Sequence, residues 1–208
     1  MPYVIRPTRR LLAAMAVAAG ALWAGAAPAT AAAATPAVCV TPKFSQVFLP
    51  WRDSALYTLS PGGDFETGLS GWTLSGGART VAGNETFYVG GARDRLSLSL
   101  RAGATAVSAP MCIDRTYPSF RFFARNTGSA TSDLRVEVLW QESGATRRSD
   151  ARLDKKAGAL WTPVSSLRLP SGALSTGTLE PVTFRFTAVG AGGAWQIDDL
   201  YVDPYMRR

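Results

Sequence analysis

Strict alternation of apolar and polar residues restricts the fold of this chain more than any other feature. Residues 96–100 read Leu-Ser-Leu-Ser-Leu, and the segments 134–138 and 183–187 alternate in the same way. A two-residue period puts successive side chains on opposite faces of a strand, so each segment predicts a strand with one buried face. Clusters rich in Gly, Pro, Ser and Asn separate these segments, which is typical of sandwiches and barrels. The chain is therefore predicted to be an all-β protein.

The first residues have the composition of a bacterial secretory signal peptide. Three arginines within the first ten residues precede an Ala- and Leu-rich run from residue 11 to residue 27. Small residues that suit a signal peptidase follow at Ala29-Thr30-Ala31. The run is shorter than the roughly 20 apolar residues of a membrane span. We therefore expect residues 1–31 to be removed and the mature chain to be secreted, with no membrane partner.

The charge balance argues against a nucleic-acid partner. The chain has 22 basic and 15 acidic residues, and without residues 1–31, which hold three arginines and no acid, the numbers are 19 and 15. The densest basic pairs are Arg147-Arg148 and Lys155-Lys156. No basic stripe interleaves with aromatic residues as a nucleic-acid-binding surface requires. We expect a solvated surface with a mild attraction to acidic polymers at low salt.

Two segments near the ends of the remaining chain carry a family resemblance. Residues 62–72 read GGDFETGLSGW, and residues 195–205 read WQIDDLYVDPY. They resemble the opening and closing strands of galactose-binding-like jelly-roll modules, carbohydrate-binding families 4, 9 and 22. The resemblance implies a single-domain, two-sheet β-sandwich over residues 61–205. Residues 32–60 are then expected to form an extended N-terminal arm.

The closing segment predicts an irregularity in its strand. Apolar residues alternate up to Ile197 and resume in the other register at Leu200, so the buried face changes across Asp198-Asp199. Such a change implies a β-bulge. A bulge turns one of the two carboxylates toward the interior or the sheet edge, where it needs a partner.

The resemblance implies a structural calcium ion beside this bulge. In the resembled modules the second Asp of the pair and the Glu of the opening segment help to bind one. The matching positions here are Asp199 and Glu66, with Asp64 a weaker candidate. Calcium takes about six to eight oxygens, including backbone carbonyls that a sequence does not display. The alternative is that Asp199 caps backbone amides or pairs with an arginine. No organic cofactor is expected.

Alternation also predicts which side chains face outward, where the resembled modules bind sugar. The residues predicted to face the core are Phe120, Phe122, Val136, Val138, Trp140, Phe184 and Phe186. The outward candidates for ligand contact are then Arg121, Phe123, Arg125, Glu137 and Arg185. An aromatic ring flanked by fixed hydrogen-bonding groups suits sugar recognition.

Two alternatives to a sugar-binding face stay open. Opposite charges on neighbouring strands are often ordinary cross-strand pairs, and the N-terminal arm can cover Phe123. Trp161 is a second candidate platform for a sugar ring. Its alternative role is a plug at the end of the sandwich.

The chain has two cysteines, Cys39 and Cys112, both beyond the predicted signal peptide. An exported protein meets an oxidising compartment, so we expect them to form a disulfide. The bond would close a loop of 72 intervening residues and stabilise the fold by about 4 to 5 kcal/mol in the chain-entropy model. The alternative is two buried free thiols.

The residue inventory excludes several kinds of enzyme. The chain contains no histidine, which rules out Ser-His-Asp and Cys-His hydrolases and His-bearing zinc sites. It has no phosphate-cradling or dinucleotide-binding glycine motif. A glycosidase using carboxylates such as Glu137, Glu142 or Asp150 is weakly supported, because their separations are unknown.

We therefore interpret the protein as a secreted, non-catalytic carbohydrate-binding-like module for a glycan or cell-envelope polymer. The rival interpretation is a structural or protein-interaction envelope protein that reuses the fold without binding sugar. A polysaccharide-degrading enzyme is a third interpretation, and it requires acidic residues gathered in one cleft.

Overall fold

A computed structural model describes residues 42–153, 158–170 and 174–203, with the backbone alone described for residues 151–153. These residues belong to one compact unit of the chain, Pro36–Arg208. The predicted signal peptide, the first part of the predicted arm and Cys39 lie outside the described residues.

The described residues form two antiparallel sheets, one short 3-10 helix (Leu49–Trp51) and no α-helix. The first sheet contains, in spatial order, β10 (Thr162–Pro163), β7 (Ser119–Asn126), β13 (Ala194–Asp203), β4 (Leu96–Arg101) and β3 (Arg79–Ala82), with β1 (Thr58–Leu59) paired to β13 and β11 (Leu167–Arg168) paired to β7. The second sheet contains β2 (Thr73–Ser75), β5 (Thr105–Val107), β12 (Glu180–Val189), β8 (Asp133–Glu142) and β9 (Ala145–Leu153), with β6 (Met111–Ile113) paired to β12. The predicted all-β, two-sheet sandwich is confirmed. In this part of the chain no helix has the length and apolar character to cross a membrane.

The inner faces of the two sheets share one hydrophobic core. Phe120 and Phe122 of β7 and Phe184 and Phe186 of β12 are fully buried in it. Rings from opposite sheets are in contact, with centroids 4.7 Å apart for Phe120 and Phe184 and 5.1 Å apart for Phe122 and Phe186. Burying each such side chain contributes about 1.5–3 kcal/mol. The other predicted core residues, Val136, Val138 and Trp140, lie in the same core.

The opening segment lies against the closing strand, β13. The amide of Leu200 donates to the carbonyl of Gly63 at 3.1 Å, and the amide of Ser60 donates to the carbonyl of Leu200 at 2.8 Å. A Cβ on Gly63 would come within 3.0 Å of both the Ser60 and the Leu200 carbonyl oxygens. A larger residue at this position would therefore have to push the two backbones apart by a few tenths of an ångström.

β13 is irregular at the position that the alternation indicates. Its pairing with β7 shifts register between Asp198 and Tyr201, and Asp199 adopts a left-handed φ of 52°. That conformation is uncommon for a residue with a Cβ. The predicted β-bulge is confirmed, and it buries both aspartates to 1% exposure.

The arm covers part of the outer face of the first sheet. Phe48 and Tyr57 pack with Phe123, Trp161 and Tyr201 in a second apolar cluster, separate from the main core. The ring centroids of Phe48 and Tyr57 are 4.8 Å apart, in an edge-to-face arrangement. The described part of the arm is thus packed against the sandwich through its aromatic side chains.

An ion pair also joins the arm to the first sheet. Nη1 of Arg121 on β7 donates to Oδ2 of Asp53 at 2.8 Å, and the guanidinium lies 4.1 Å from the ring centroid of Phe48. Burial opposes ionisation of the Asp53 carboxyl, but hydrogen bonds from Tyr57, the Ala55 amide and Arg121 outweigh it and lower the pKa. Asp53 is therefore held as an anion at neutral pH.

Cys112 lies on β6 and is partly buried. No free cysteine occurs in the described part of the chain. Because Cys39 lies outside that part, its pairing with Cys112 stays a prediction.

Candidate functional site

The structure divides the predicted ligand contacts between the two sheets. Arg121, Phe123 and Arg125 lie on β7 of the first sheet, whereas Glu137 of β8 and Arg185 of β12 lie on the second. β7 and β8 are consecutive in the sequence, but the chain passes from one sheet to the other between them. The expectation of one shared outward face is therefore wrong. Alternation gives the face of a strand and not the sheet to which the strand belongs.

Four of the predicted contacts are buried: Glu137 on the second sheet, which is 3% exposed, Phe123 and Arg121 on the first sheet, and Trp161 directly before β10 of that sheet. Phe123 is fully buried, with the ring centroids of Phe48 and Trp51 5.6 and 5.5 Å from its own. Arg121 is 7% exposed and Trp161 is 4% exposed. Phe123 is thus a support beneath the arm and not a platform for ligand, which was the alternative left open by its sequence position. Trp161 is packed in the same cluster.

Glu137 and Arg185 form a cross-strand ion pair on the second sheet. They are directly opposite in the β8–β12 register, and Arg185 donates to both carboxylate oxygens, at 2.5 and 2.7 Å. Nη1 of Arg148 lies 3.6 Å from the same carboxylate. Hydrogen bonding from Arg185 lowers the pKa of Glu137, although burial opposes it. This carboxylate is already satisfied, as in an ordinary cross-strand pair.

A segment that the sequence pattern does not single out crosses the outer face of the first sheet. Residues 83–89, the crossing segment, begin directly after β3. The Glu85 amide donates to Oδ2 of Asp198 on β13 at 2.9 Å. The ring centroid of Phe87 lies 5.7 Å from that of Phe123 on β7. The segment therefore runs from one edge of the sheet over β13 to β7.

The buried carboxylate of Glu85 holds the crossing segment in shape. Its side chain is fully buried, and its two oxygens accept hydrogen bonds from the amides of Phe87 and Val89. Burial raises the pKa of Glu85, while these backbone hydrogen bonds oppose the increase. The segment is therefore held by hydrogen bonds within itself and to Asp198, and its exposed side chains are not needed to fix its backbone.

The crossing segment presents aromatic side chains to solvent. Phe87 is 46% exposed and Tyr88 is 53% exposed. Trp51 of the arm is half-buried and stands edge-on to Phe87, with centroids 4.8 Å apart at 88°. Trp51, Phe87 and Tyr88 are called the aromatic rim. Both Trp51 and Phe87 rest on the buried ring of Phe123, so the rim has a rigid support.

An open strip of the first sheet lies beside the rim. The strand register places Arg79, Ser99, Gln196 and Arg125 in one row across β3, β4, β13 and β7. All four side chains are at least partly exposed, and they are called the polar row. A Cβ on Gly83 would lie 3.8 Å from Nη2 of Arg125. The crossing segment therefore borders the row, and rim and row form one continuous surface.

An acidic pocket lies where the chain leaves the crossing segment. Neither carboxylate oxygen of Asp199, nor Oδ2 of Asp94, has a hydrogen-bond partner in the described part of the chain, although these atoms are buried. A Cβ on Gly90 would lie 2.5 Å from Oδ2 of Asp94 and 3.0 Å from Oδ1 of Asp199. Two unpartnered oxygens thus converge beside Gly90. Glu66, Asp94 and Asp199 are called the acid pocket.

The other two predicted calcium ligands, Glu66 of the acid pocket and Asp64, accept backbone hydrogen bonds. Oε1 of Glu66 accepts the amides of residues 95 and 96, both at 2.6 Å, and Oδ1 of Asp64 accepts the Glu66 amide at 3.3 Å. These bonds join the opening segment to the start of β4. Burial raises the pKa of Asp199, and the neighbouring carboxylates, Glu85 first, raise it further. Sequence reasoning missed Asp94, which lies in a loop with no strand period.

The chemistry of the pocket fits a calcium ion that also takes backbone or water oxygens. A buried carboxylate without a partner is costly, and a bound cation removes that cost. Within the described ranges, however, no three Asp, Glu, His or Cys side chains are grouped closely enough to hold a metal alone. Asp94 and Asp199 can supply oxygens, and the remaining ligands would be carbonyls or water.

No protein-family model matches this chain, and no curated protein matches it. Similar solved structures include the enzymatically active domain of tailspike protein 4 of bacteriophage CBA120, at 16% identity and a TM-score of 0.47, over 67% of this chain and 20% of that one. The CBM22-1 and GH10 modules of Clostridium thermocellum endo-1,4-beta-D-xylanase 10B align at 14% sequence identity with a TM-score of 0.48. The alignment covers 68% of this chain and 28% of that one. A CBM22-1 xylan-binding domain from Paenibacillus barcinonensis aligns at 15% sequence identity with a TM-score of 0.42. The alignment covers 66% of this chain and 88% of that one.

The names of several other similar structures also describe carbohydrate-binding modules. The chain spans less than a third of the length of the first two structures named above. At such identities and TM-scores, function has to be argued from the geometry of the chain itself.

Proposed function

We propose that this protein is an exported, non-catalytic glycan-binding module whose ligand surface consists of the aromatic rim and the polar row. The observation that carries the proposal is the exposure of Phe87 and Tyr88 on a backbone segment fixed by the buried carboxylate of Glu85. A soluble protein gains no stability by exposing aromatic rings, so a rigid exposed pair indicates a surface for recognition.

The rim has the properties that a sugar ring requires. Aromatic faces offer a large apolar contact with few rotatable bonds, and they lose little entropy when a ligand binds. The edge-on arrangement of Trp51 and Phe87, 4.8 Å apart, fixes the direction of both rings before the ligand arrives. The polar row then supplies Arg, Ser and Gln groups that hydrogen-bond to hydroxyls and set the orientation of the sugar.

Pull-down and depletion assays of the mature protein against soluble and insoluble polysaccharides test this proposal. We expect saturable binding to at least one glycan with no release of sugar. Phe87→Ala and Trp51→Ala should each weaken that binding at least tenfold. Leu179→Ala is the matched control, because Leu179 is 48% exposed and lies outside the rim and the row. If Leu179→Ala lost as much glycan affinity as the rim variants, or if both rim variants bound glycan like the wild type, the rim would not be the binding site.

A protein partner is the rival occupant of this surface. It is favoured if the mature protein binds no glycan in the panel while the rim variants abolish a specific protein contact. Sugar release during the assay would instead support an enzyme. Export itself is tested by recovering the protein from the culture medium and sequencing its N-terminus, which should begin near residue 32.

We also propose that the acid pocket holds a structural calcium ion. Asp199 and Asp94 would supply carboxylate oxygens, and Glu66 would keep the opening segment beside them through its bonds to residues 95 and 96. When bound, the ion neutralises carboxylates that otherwise repel one another. A melting temperature unchanged between excess calcium and a chelator would refute this proposal, whereas Asp199→Asn should abolish any calcium-dependent increase.

A further inference from the structure

The open strip of the first sheet carries positive charge. Arg79 and Arg125 occupy the two ends of the polar row. Arg101, two residues after Ser99 on β4, lies on the same outer face, and its Nε donates to the Gly76 carbonyl at 2.7 Å. In the described part of the chain, no carboxylate lies within ion-pair distance of these three arginines.

Two other arginines that project outward from the sheets are neutralised. Arg121 pairs with Asp53 at 2.8 Å, and Arg185 pairs with Glu137 at 2.5 Å. The arginines of the strip therefore differ from Arg121 and Arg185, whose charges are already compensated by a carboxylate. An anionic ligand would gain charge-assisted hydrogen bonds from the arginines of the strip.

Arg125 is already oriented for such a ligand. Its Nε donates to Oε1 of Gln196 at 2.7 Å, and its guanidinium lies 4.9 Å from the ring centroid of Trp161. Trp161 is buried, so the guanidinium rests on a fixed ring. A planar guanidinium held in this way can bind a carboxylate or a sulfate with two parallel hydrogen bonds, at a small entropic cost.

We infer that the glycan bound at this surface is acidic, and that Arg79, Arg101 and Arg125 recognise its anionic groups. The inference rests on the proposed glycan-binding function. Arg79 and Arg125 are separated by three strand spacings, roughly 14 Å. That distance exceeds the width of one sugar ring, so the row contacts a chain that carries repeated charges. The rim provides stacking for the same chain, next to Arg125.

A single-stranded nucleic acid is the competing polyanion, because it also uses stacking and positive charge. The composition of the row favours the glycan. Ser99 and Gln196 lie between the two arginines, and they match closely spaced hydroxyls. The aromatic rings are gathered at one side of the row and do not alternate with the arginines along it.

Paired polymers that differ only in charge test the inference by calorimetry or depletion. The first pair is polygalacturonate and its fully methyl-esterified form, and the second is dextran sulfate and dextran. We expect binding to at least one charged polymer to be at least tenfold tighter than to its neutral partner, and to weaken as salt is raised. The pair that shows the difference identifies the anion as carboxylate or sulfate.

Substitutions assign the effect to the row. Arg79→Gln and Arg125→Gln should each reduce binding of the charged polymer about tenfold and binding of the neutral polymer by a smaller factor, so that the preference for the charged polymer falls. Arg125→Lys should bind the charged polymer with less than half of the wild-type affinity, because lysine keeps the charge of arginine but not the fork of its guanidinium. Arg115→Gln, at an exposed arginine outside the first sheet, is the charge-matched control and should bind like the wild type. Melting curves of each variant check that it is folded.

Each failure has a distinct meaning. Equal binding of the charged and neutral polymers overturns the acidic-glycan inference and leaves the proposed function intact. Binding of neither polymer pair and of no other glycan overturns both. Tighter binding of single-stranded DNA than of any charged glycan also overturns the inference. So does a loss of charged-polymer affinity in Arg115→Gln that equals the loss in Arg79→Gln and Arg125→Gln.

Discussion

Substituting Gly90 tests the acid pocket more sharply than removing a carboxylate. The backbone of Gly90 is not in the left-handed region, so alanine fits its conformation. The added methyl would lie 2.5 Å from Oδ2 of Asp94 and 3.0 Å from Oδ1 of Asp199. Gly90→Ala thus fills the space between the two unpartnered oxygens and leaves both charges in place.

The expected magnitude follows from ligand linkage. At a free calcium concentration of about 100 times Kd, binding stabilises the folded state by about 2.7 kcal/mol. For a domain of this size each kcal/mol shifts the melting temperature by about 2–4 °C, so wild-type protein should gain about 5–11 °C. In chelator, Gly90→Ala should cost little, because carboxylate ends can move aside, and glycine-to-alanine changes stabilise by about 0.4–1 kcal/mol through the unfolded state.

Differential scanning calorimetry in excess calcium and in chelator measures these shifts. Gly158→Ala is the control, since a Cβ there meets nothing within 4 Å, and it should keep the full calcium shift. We expect Gly90→Ala to lose most of it. A full wild-type shift in Gly90→Ala would show that any calcium binds elsewhere, and the absence of a shift in the wild type would refute the calcium site itself.

Three further predictions concern stability. Unreduced mature protein should contain no free thiol, and reduction of the Cys39–Cys112 bond should lower the free energy of unfolding by about 4 to 5 kcal/mol; two thiols per chain in a thiol assay would end this prediction. Phe123→Ala should cost about 3–5 kcal/mol in urea unfolding and Phe123→Leu much less, whereas equal small costs would mean that the arm does not pack there. Because the pKa of Asp53 is lowered in the folded protein, the stability from its pair with Arg121 should be present above the ordinary Asp pKa and lost as the pH falls through the lowered one. Asp53→Asn should show a smaller acid-side loss in urea melts at stepped pH, and parallel curves would contradict the assignment.

Local periodicity predicted those features of the fold that depend on one strand at a time. Phe120, Phe184 and their alternate neighbours face the core because a strand has a period of two and each strand buries only one face. The bulge at Asp198-Asp199 was predictable for the same reason, since a change in the apolar register has to be absorbed by the backbone.

The candidate site depends on contacts between distant segments, which periodicity does not encode. Trp51 ends the short 3-10 helix and Phe87 lies in a loop, and their contact follows from the path of the crossing segment over β13. Phe123 was predicted to face outward, and it does lie on the outer side of the first sheet, but the arm covers it. Among the predicted ligand contacts on or beside the first sheet, Arg125 remains partly exposed, whereas Arg121, Phe123 and Trp161 are buried.

The polar row combines an accessible surface with separate structural support. Its side chains project from strands whose opposite faces form the core, and the crossing segment beside it is held by Glu85 and Asp198, which do not belong to the row. Most of the residues that select a ligand are therefore not those that stabilise the fold. A library randomised at Arg79, Ser99 and Gln196 should consequently yield mostly folded proteins, which makes this sandwich a scaffold whose binding specificity can be re-engineered.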